Sequence, residues 1–245
     1  MNTSKTGIFH LNGWELRSSR FNKVPTILLI AGGRAPSVEW LVQTASLFDE
    51  IWCADAGIDI CKKTGIVPHY LVGDSDSSSL EGRTWAEKMG VHIETYPVDK
   101  EYTDLQLTLR RIGETYSSPE VVLTGCWGGR LDHTWSNIFS ALWAEDWGVH
   151  IRSLCDDKEA LFILQGAEQV SFCFDRPEPE IISLFALEEK VEGVSIRGTR
   201  WELENVSLEM VRPYAISNRL EKSREDYVEI SVDKGRLAVY LYWTE

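Results

Sequence analysis

The hydrophobic pattern changes its period near residue 150. Before that point, short unbroken apolar runs alternate with segments whose apolar residues recur every three or four positions. Residues 27–30 form an apolar run of strand type closed by Ala31-Gly32-Gly33-Arg34, and the segment 37–48 then carries Val38, Leu41, Val42 and Ala45 at helical spacing. A strand over 51–54 ends at Asp55, a helix over 58–64 is stopped by Gly65 and Pro68, and residues 70–72 form the strand that delivers Gly73-Asp74-Ser75-Asp76. Helices follow at 81–89, at 102–116 with Tyr102, Leu105, Leu109, Ile112 and Tyr116, and from Leu131 with Trp135, Ile138 and Leu142 on one face; strands at 91–95 and 121–124 separate them. Continuous apolar strands alternating with amphipathic helices predict a parallel sheet covered by helices. Ligands of such sheets bind beyond the carboxyl ends of the strands, where the strand order switches.

From residue 149 onward the helical period is gone. Strand-like runs occupy 161–164, 170–174, 181–187, 191–196, 206–211, 227–232 and 237–243, the last two flanking Asp233-Lys234-Gly235, which reads as a hairpin loop. The expected fold class is therefore an α/β N-terminal domain, a parallel sheet flanked by helices, followed by an all-β sandwich C-terminal domain. The expected divisions are an N-terminal extension over 1–24, the α/β domain over 25–156 and the β domain over 157–245. The extension is left unassigned, with Trp14 and Phe21 as its docking residues.

Composition narrows the partners. The 245 residues are 43% hydrophobic, enough for real cores, and the net charge of -13 argues against a nucleic-acid backbone, which needs clustered Lys and Arg. A small phosphate ligand remains compatible if a divalent cation screens it. Five cysteines without a C-x-x-C pair indicate neither a disulfide framework nor a zinc knuckle and suit a reduced, cytoplasmic setting. No stretch approaches the roughly 18 apolar residues of a membrane span, so no membrane partner is expected.

Four places could carry chemistry. Asp74 and Asp76 lie two apart in a loop at a strand end, where carboxylates suit Mg²⁺; an Asx-turn would use the same residues. Asp55, in Ala54-Asp55-Ala56-Gly57, has small neighbours that leave room for a ligand, though an Asp that merely opens a turn looks the same. In Lys100-Glu101-Tyr102-Thr103-Asp104, Thr103 and Gln106 form a capping box that puts Asp104 in a first helical turn, where the dipole favours its charge. In Gly128-Gly129-Arg130-Leu131-Asp132-His133, glycines, a helix start and an arginine fork suit phosphate oxygens, and His133 and Asn137 share a helix face. A tight turn with a surface arginine and a core histidine is the plain alternative. Neither a Walker A sequence nor a G-x-G-x-x-G is present. Together these places suggest metal-assisted transfer of a phosphoryl-type group.

In this order the motifs resemble the thiamine pyrophosphokinase family, across roughly residues 27 to 240. The matching pieces are Ala54 to Gly57, Pro68 with Gly73 to Ser77, Lys100 with Thr103-Asp104, and Gly128 to His133 with Asn137. Gly198-Thr199-Arg200-Trp201-Glu202-Leu203 and Ser217-Asn218 complete the set. Ser75 stands where the family usually has an aromatic, and Glu101 where it often has Asp. The resemblance implies transfer of the β,γ-diphosphate of ATP to the thiamine hydroxyl, releasing AMP, in a homodimer with thiamine between the α/β domain of one subunit and the β domain of the other. It implies Asp74, Asp76 and Asp104 as Mg²⁺ ligands, with Asp55 as a further ligand or an orienter of the hydroxyl, and Lys100 as a neutraliser of phosphate charge. It further implies Arg130, Asp132, His133 and Asn137 at ATP, and Trp201, Ser217 and Asn218 at thiamine, Trp201 stacking on the charged thiazolium. The alternatives are a pyrophosphokinase of another hydroxymethyl heterocycle, such as a pterin, and a non-catalytic thiamine or nucleotide sensor.

Overall fold

The computed structural model describes residues 7–11, 14–18, 26–74, 76–99, 101–174, 177–221 and 227–244. The chain forms two compact units, Val24–Asp157 and, from the two ends of the sequence, Met1–Lys23 with Lys158–Glu245. Two strands open it, β1 (Gly7–Leu11) and β2 (Trp14–Ser18), paired antiparallel within the second unit.

The first unit alternates without interruption: β3 (Thr26–Ile30), α1 (Val38–Ala45), β4 (Glu50–Ala54), α2 (Gly57–Thr64), β5 (Tyr70–Gly73), α3 (Leu80–Met89), β6 (His92–Thr95), α4 (Asp104–Thr115), β7 (Glu120–Thr124), α5 (Leu131–Trp143) and β8 (His150–Cys155). The strands are parallel in the order β8-β7-β3-β4-β5-β6. The apolar run of β3 explains its central place, for Ile27, Leu28, Leu29 and Ile30 are all fully buried. The chain leaves β3 toward β4, then returns on its other side at β7, so the switch in strand order lies at the ends of β3 and β7. Gly65 (φ 74°) and Gly90 (φ 78°) end α2 and α3 in the left-handed conformation. Thr103 and Gln106 form the expected capping box on α4, whose first residue is Asp104; Tyr102, expected inside the helix, precedes its cap and rests against Trp143, ring centroids 5.5 Å apart.

Two expectations for this unit need correction. The first half of the apolar face of α5 is not core, because Leu131 is 79% and Trp135 60% exposed, whereas Ile138 and Leu142 are half-buried and the helix buries Ser140 and Ala141. Strand β8 was not foreseen, since His150, Arg152 and Ser153 break its apolar run. An ion pair does part of the work there: Arg152 Nε donates to Glu120 Oε2 of the neighbouring β7 at 2.7 Å.

The second unit adds β9 (Glu159–Gln165), β10 (Glu168–Phe174), β11 (Ile181–Ala186), β12 (Lys190–Arg197), β13 (Leu203–Glu209), β14 (Tyr227–Val232) and β15 (Arg236–Tyr242). Its strands pair antiparallel in two sets, β1-β2-β10-β14-β12-β13 and β11-β15-β9. Asp233-Lys234-Gly235 therefore does not close a hairpin: β14 and β15 belong to different sets, and the turn is a corner between them. A second corner lies beside it, where Ala167 N donates to Asp233 O (2.9 Å) and Gly166 N to Gly235 O (3.0 Å). The unassigned N-terminus supplies core here, with Trp14 only 3% exposed and set edge-on to Phe162, centroids 4.8 Å apart. Phe21 lies outside the described residues. No helix among the described residues is long and apolar enough to cross a membrane.

Candidate active site

The loops that follow β3, β4, β5 and β7 meet at the carboxyl edge of the parallel sheet. The first and last are tied together by their backbones: Gly33 N donates to Gly125 O (2.7 Å) and Arg34 N to Trp127 O (2.6 Å). The Arg34 side chain is not held out for a ligand, for its Nε donates to Asp156 Oδ2 at 3.0 Å and the Asp156 side chain is only 1% exposed. Beside this seam lies a cleft of about 630 Å³, lined among others by Gly32, Asp55, Asp104, Gly128, Arg130 and Asn137.

Asp55 is the most constrained residue in the cleft. It turns the chain from β4 into α2 with φ 43°, a conformation costly for any residue with a Cβ, and its N–H donates to Val72 O at 2.9 Å. The residue is buried, and its Oδ1 has no hydrogen-bond partner among the described residues. Burial, and then the charge of Asp104, push its carboxyl above the ordinary range; the Ala56 N–H and the Ser77 hydroxyl offset part of this, and Asp74 adds to it.

Asp74 and Asp104 complete a cluster with Asp55 in which each residue offers a carboxylate oxygen within 4.8 Å of the others. The Asp74 N–H donates to Asp104 Oδ1 (3.0 Å), so the first turn of α4 fixes the end of β5. Gly73 makes the convergence possible, because a Cβ there would come within 3.0 Å of Asp55 Cβ and 3.3 Å of Asp104 Oδ1. Three carboxylates, one of them buried with an unpartnered oxygen, fit a hard divalent cation such as Mg²⁺.

Asp76 is not one of the three. It is exposed, its carboxylate accepts from Ser77 Oγ (2.9 Å), and its N–H donates to Asp74 Oδ1 (3.1 Å). Asp55 takes the third position instead; the small residues on either side of it were the sequence signal. Lys100 and Ser75 lie outside the described residues.

At the fourth motif, Gly128 (φ 77°) and Gly129 (φ 69°) turn the chain into α5. Arg130 and Asp132 are exposed and paired, Arg130 Nε donating to Asp132 Oδ1 at 3.0 Å, which raises the guanidinium pKa and holds the carboxyl below its usual range. His133 and Asp132 line the cleft. Asn137 Nδ2 donates to Cys126 O (2.8 Å), so this side chain braces the turn that β7 feeds. Ser77 and Thr103, both members of the sequence motifs, also line the cleft, as does Ser136, which the sequence did not single out.

The β unit carries its own pocket of about 260 Å³, lined by Ile182, Leu184, Ile196, Trp201, Tyr214 and Asn218 among others. Trp201 is 55% exposed, with the Arg200 guanidinium 5.0 Å from its ring centroid. Asn218 is buried and saturated: Nδ2 donates to Trp201 O (2.7 Å) and Thr199 Oγ1 (3.1 Å), and Oδ1 accepts from Trp201 N (3.2 Å) and Arg219 N (2.9 Å). Ser217 has φ 59° and donates its N–H to Ser183 Oγ at 3.0 Å.

Comparison with known proteins agrees with this division. Residues 42–152 match the family model of the thiamin pyrophosphokinase catalytic domain, and residues 170–237 that of the thiamin pyrophosphokinase vitamin B1 binding domain. The thiamine pyrophosphokinase of Bacillus subtilis (strain 168) is 28% identical over 204 residues, 81% of this chain and 91% of that protein. Thiamine pyrophosphokinase 1 of Oryza sativa subsp. japonica is 27% identical over 183 residues, covering 72% of this chain and 65% of its own length. The crystal structure of the Bacillus subtilis protein superposes with a TM-score of 0.75 at 23% identity, over 90% of this chain and all (100%) of that one. That of the Candida albicans thiamin pyrophosphokinase does so with a TM-score of 0.75 at 18% identity, over 90% of each; at these identities the likeness speaks for the fold alone. With both domain models of one family matched in order along its length, the chain belongs to the thiamin pyrophosphokinase family.

Proposed function

We propose that this protein transfers the β,γ-diphosphate of ATP to the hydroxyl of thiamine, giving thiamine diphosphate and AMP. The observation that carries the reading is the convergence of Asp55, Asp74 and Asp104 at the carboxyl edge of a parallel sheet, beside a cleft that reaches the switch point at β3 and β7 and is edged by glycine turns. In the reaction the thiamine oxygen attacks the β-phosphorus, the bond from that phosphorus to the oxygen bridging to the α-phosphorus breaks, the hydroxyl proton is lost, and AMP departs.

The chain's own groups supply position and charge. Asp55, Asp74 and Asp104 would hold Mg²⁺, with Asp76 a further acid two residues on from Asp74; when bound, the ion would supply withdrawal of charge from the phosphates. The exposed Arg130 fork can exchange Asp132 for phosphate oxygens at little cost, since an exposed pair is weak. Lys100 neutralises the transferred group in this reading. His133 lines the nucleotide cleft, while Asn137 shapes it through the Cys126 carbonyl. Thiamine stacks on Trp201, with Ser217 between the pocket residues Ile216 and Asn218, and Asn218 holding the Trp201 backbone in place. Such positioning and electrostatics are the main resources of phosphoryl transfer.

The reading includes a homodimer in which the Trp201 pocket of one subunit serves the cleft of the other. The exposed apolar face of α5, with Leu131, Trp135, Phe139 and Trp143 at four-residue intervals, supports self-association. Phosphorus NMR of the protein with ATP, Mg²⁺ and thiamine tests the chemistry: AMP with thiamine diphosphate is expected. ADP with thiamine monophosphate would mean attack at the γ-phosphorus instead.

A further inference from the structure

Asp59 lies in the first turn of α2, four residues after Asp55, and is half-buried. Its carboxylate grips Ser79, the N-cap of α3: Oδ2 accepts from Ser79 N at 3.0 Å and Oδ1 from the Ser79 hydroxyl. Ser79 Oγ in turn accepts from Gly82 N (2.9 Å), capping the helix. Gly82 leaves room for this grip, since a Cβ at that position would run into Asp59 Oδ1 and push the carboxylate aside. The chain between Asp74 and Ser79 is thus fastened at both ends, at Asp74 by Asp104 Oδ1 and at Ser79 by Asp59. The second fastening comes from the helix that begins immediately after Asp55.

We propose that Asp59 is a positioning residue for the metal-holding carboxylates: it sets the distance between the Asp55 turn and the segment carrying Asp74, and so tunes affinity for the divalent cation without touching it. This rests on the reading of Asp55, Asp74 and Asp104 as the metal site. The physical case is that ligand carboxylates bind well only when held in place by partners outside the coordination sphere. Asp59 spends both oxygens on Ser79 and sits where the helix dipole of α3 favours its charge, so it acts as a clamp.

The test is a Mn²⁺ titration followed by EPR, with α,β-methylene ATP present, on the intact protein and three variants. Asp59→Ala is expected to weaken Mn²⁺ binding about tenfold, and Asp59→Asn, which keeps an acceptor for the Ser79 N–H, to stay within about threefold of the wild type. Thiamine affinity, read by tryptophan fluorescence, is expected to be unchanged in both. Unaltered Mn²⁺ affinity in Asp59→Ala overturns the proposal, even if the melting temperature falls. So does equal weakening in both Asp59 variants, which would make the effect one of charge. Asp104→Asn separates the two levels: if it binds Mn²⁺ as the wild type does, the metal reading itself is wrong.

Discussion

One side chain, Asn218, holds both backbone groups of Trp201, donating to its carbonyl at 2.7 Å and accepting from its N–H at 3.2 Å. Trp201 is 55% exposed, so the clasp on its backbone, not burial, fixes the point from which the ring projects. Asn218→Ala should therefore raise the KM for thiamine about tenfold while leaving that for ATP unmoved, a cost in keeping with small misplacements of a binding group. It should also cost about 1–3 kcal/mol of stability by leaving the Trp201 and Thr199 groups without their partner. Steady-state kinetics with each substrate varied, together with urea unfolding, would check both. Equal losses for thiamine and ATP would mean that Asn218 serves the whole fold.

Asp55 makes the metal-free protein sensitive to pH in a defined direction. Its folded pKa is raised above the ordinary value of 3.8, so between that value and the raised one the folded state binds more protons than the unfolded state. Its contribution to stability is present below 3.8 and is lost as pH rises through the folded pKa. Without metal, Asp55→Asn should flatten that slope and be more stable than wild type at neutral pH, as thermal melts in EDTA across pH 4 to 8 would read. With Mg²⁺ the order should reverse, because the cation stabilises only the ionised site.

Much of the first unit was legible in the sequence. Local chemistry fixed it: glycine stops at Gly65 and Gly90, a Thr103–Gln106 box, and an apolar run at β3 that only a buried strand explains. What escaped was set by tertiary pairing. Strand β8 hides behind an Arg152–Glu120 ion pair, and β1 and β2 gain their strand character from pairing with each other and, for β2, with β10. Asp233-Lys234-Gly235 has hairpin composition, but its flanking strands find different neighbours. In the site, spacing put Asp74 beside Asp76, yet consecutive loop carboxylates need not converge. Asp104 and Asp55, far apart in sequence, meet Asp74 because β4 and β5 end where α4 begins.

Arg34 and Asp156 tie the loop after β3 to the segment after β8. The Asp156 side chain is almost fully buried, so Arg34→Ala would take its cationic partner from an interior charge and should cost about 3 kcal/mol, at the low end for broken buried pairs because the arginine is partly exposed. Adding Asp156→Asn to that variant should recover a part of the loss, since the amide carries no charge to desolvate. Denaturant unfolding of the single and double variants measures this directly. A double variant no more stable than Arg34→Ala would show that Asp156 is held by its other contacts.

If the Trp201 pocket of one subunit serves the cleft of the other, two differently disabled chains should repair each other. Asp104→Asn removes a member of the carboxylate cluster, and Trp201→Ala removes the stacking surface; each homodimer should be nearly inactive. In a mixed dimer, one site would carry both lesions and the other neither. Random exchange of equal amounts should therefore restore about a quarter of the wild-type activity, as two-fold symmetry dictates. Were each site built within a single chain, mixing would restore none. Trp135→Glu, on the exposed face of α5, puts a charge among Leu131, Phe139 and Trp143 and should shift the protein toward monomer in light scattering. That variant should lose activity in step with dimer content and regain it at high protein concentration. Activity that stays low at concentrations where the dimer is restored would place Trp135 in the site instead of at the interface.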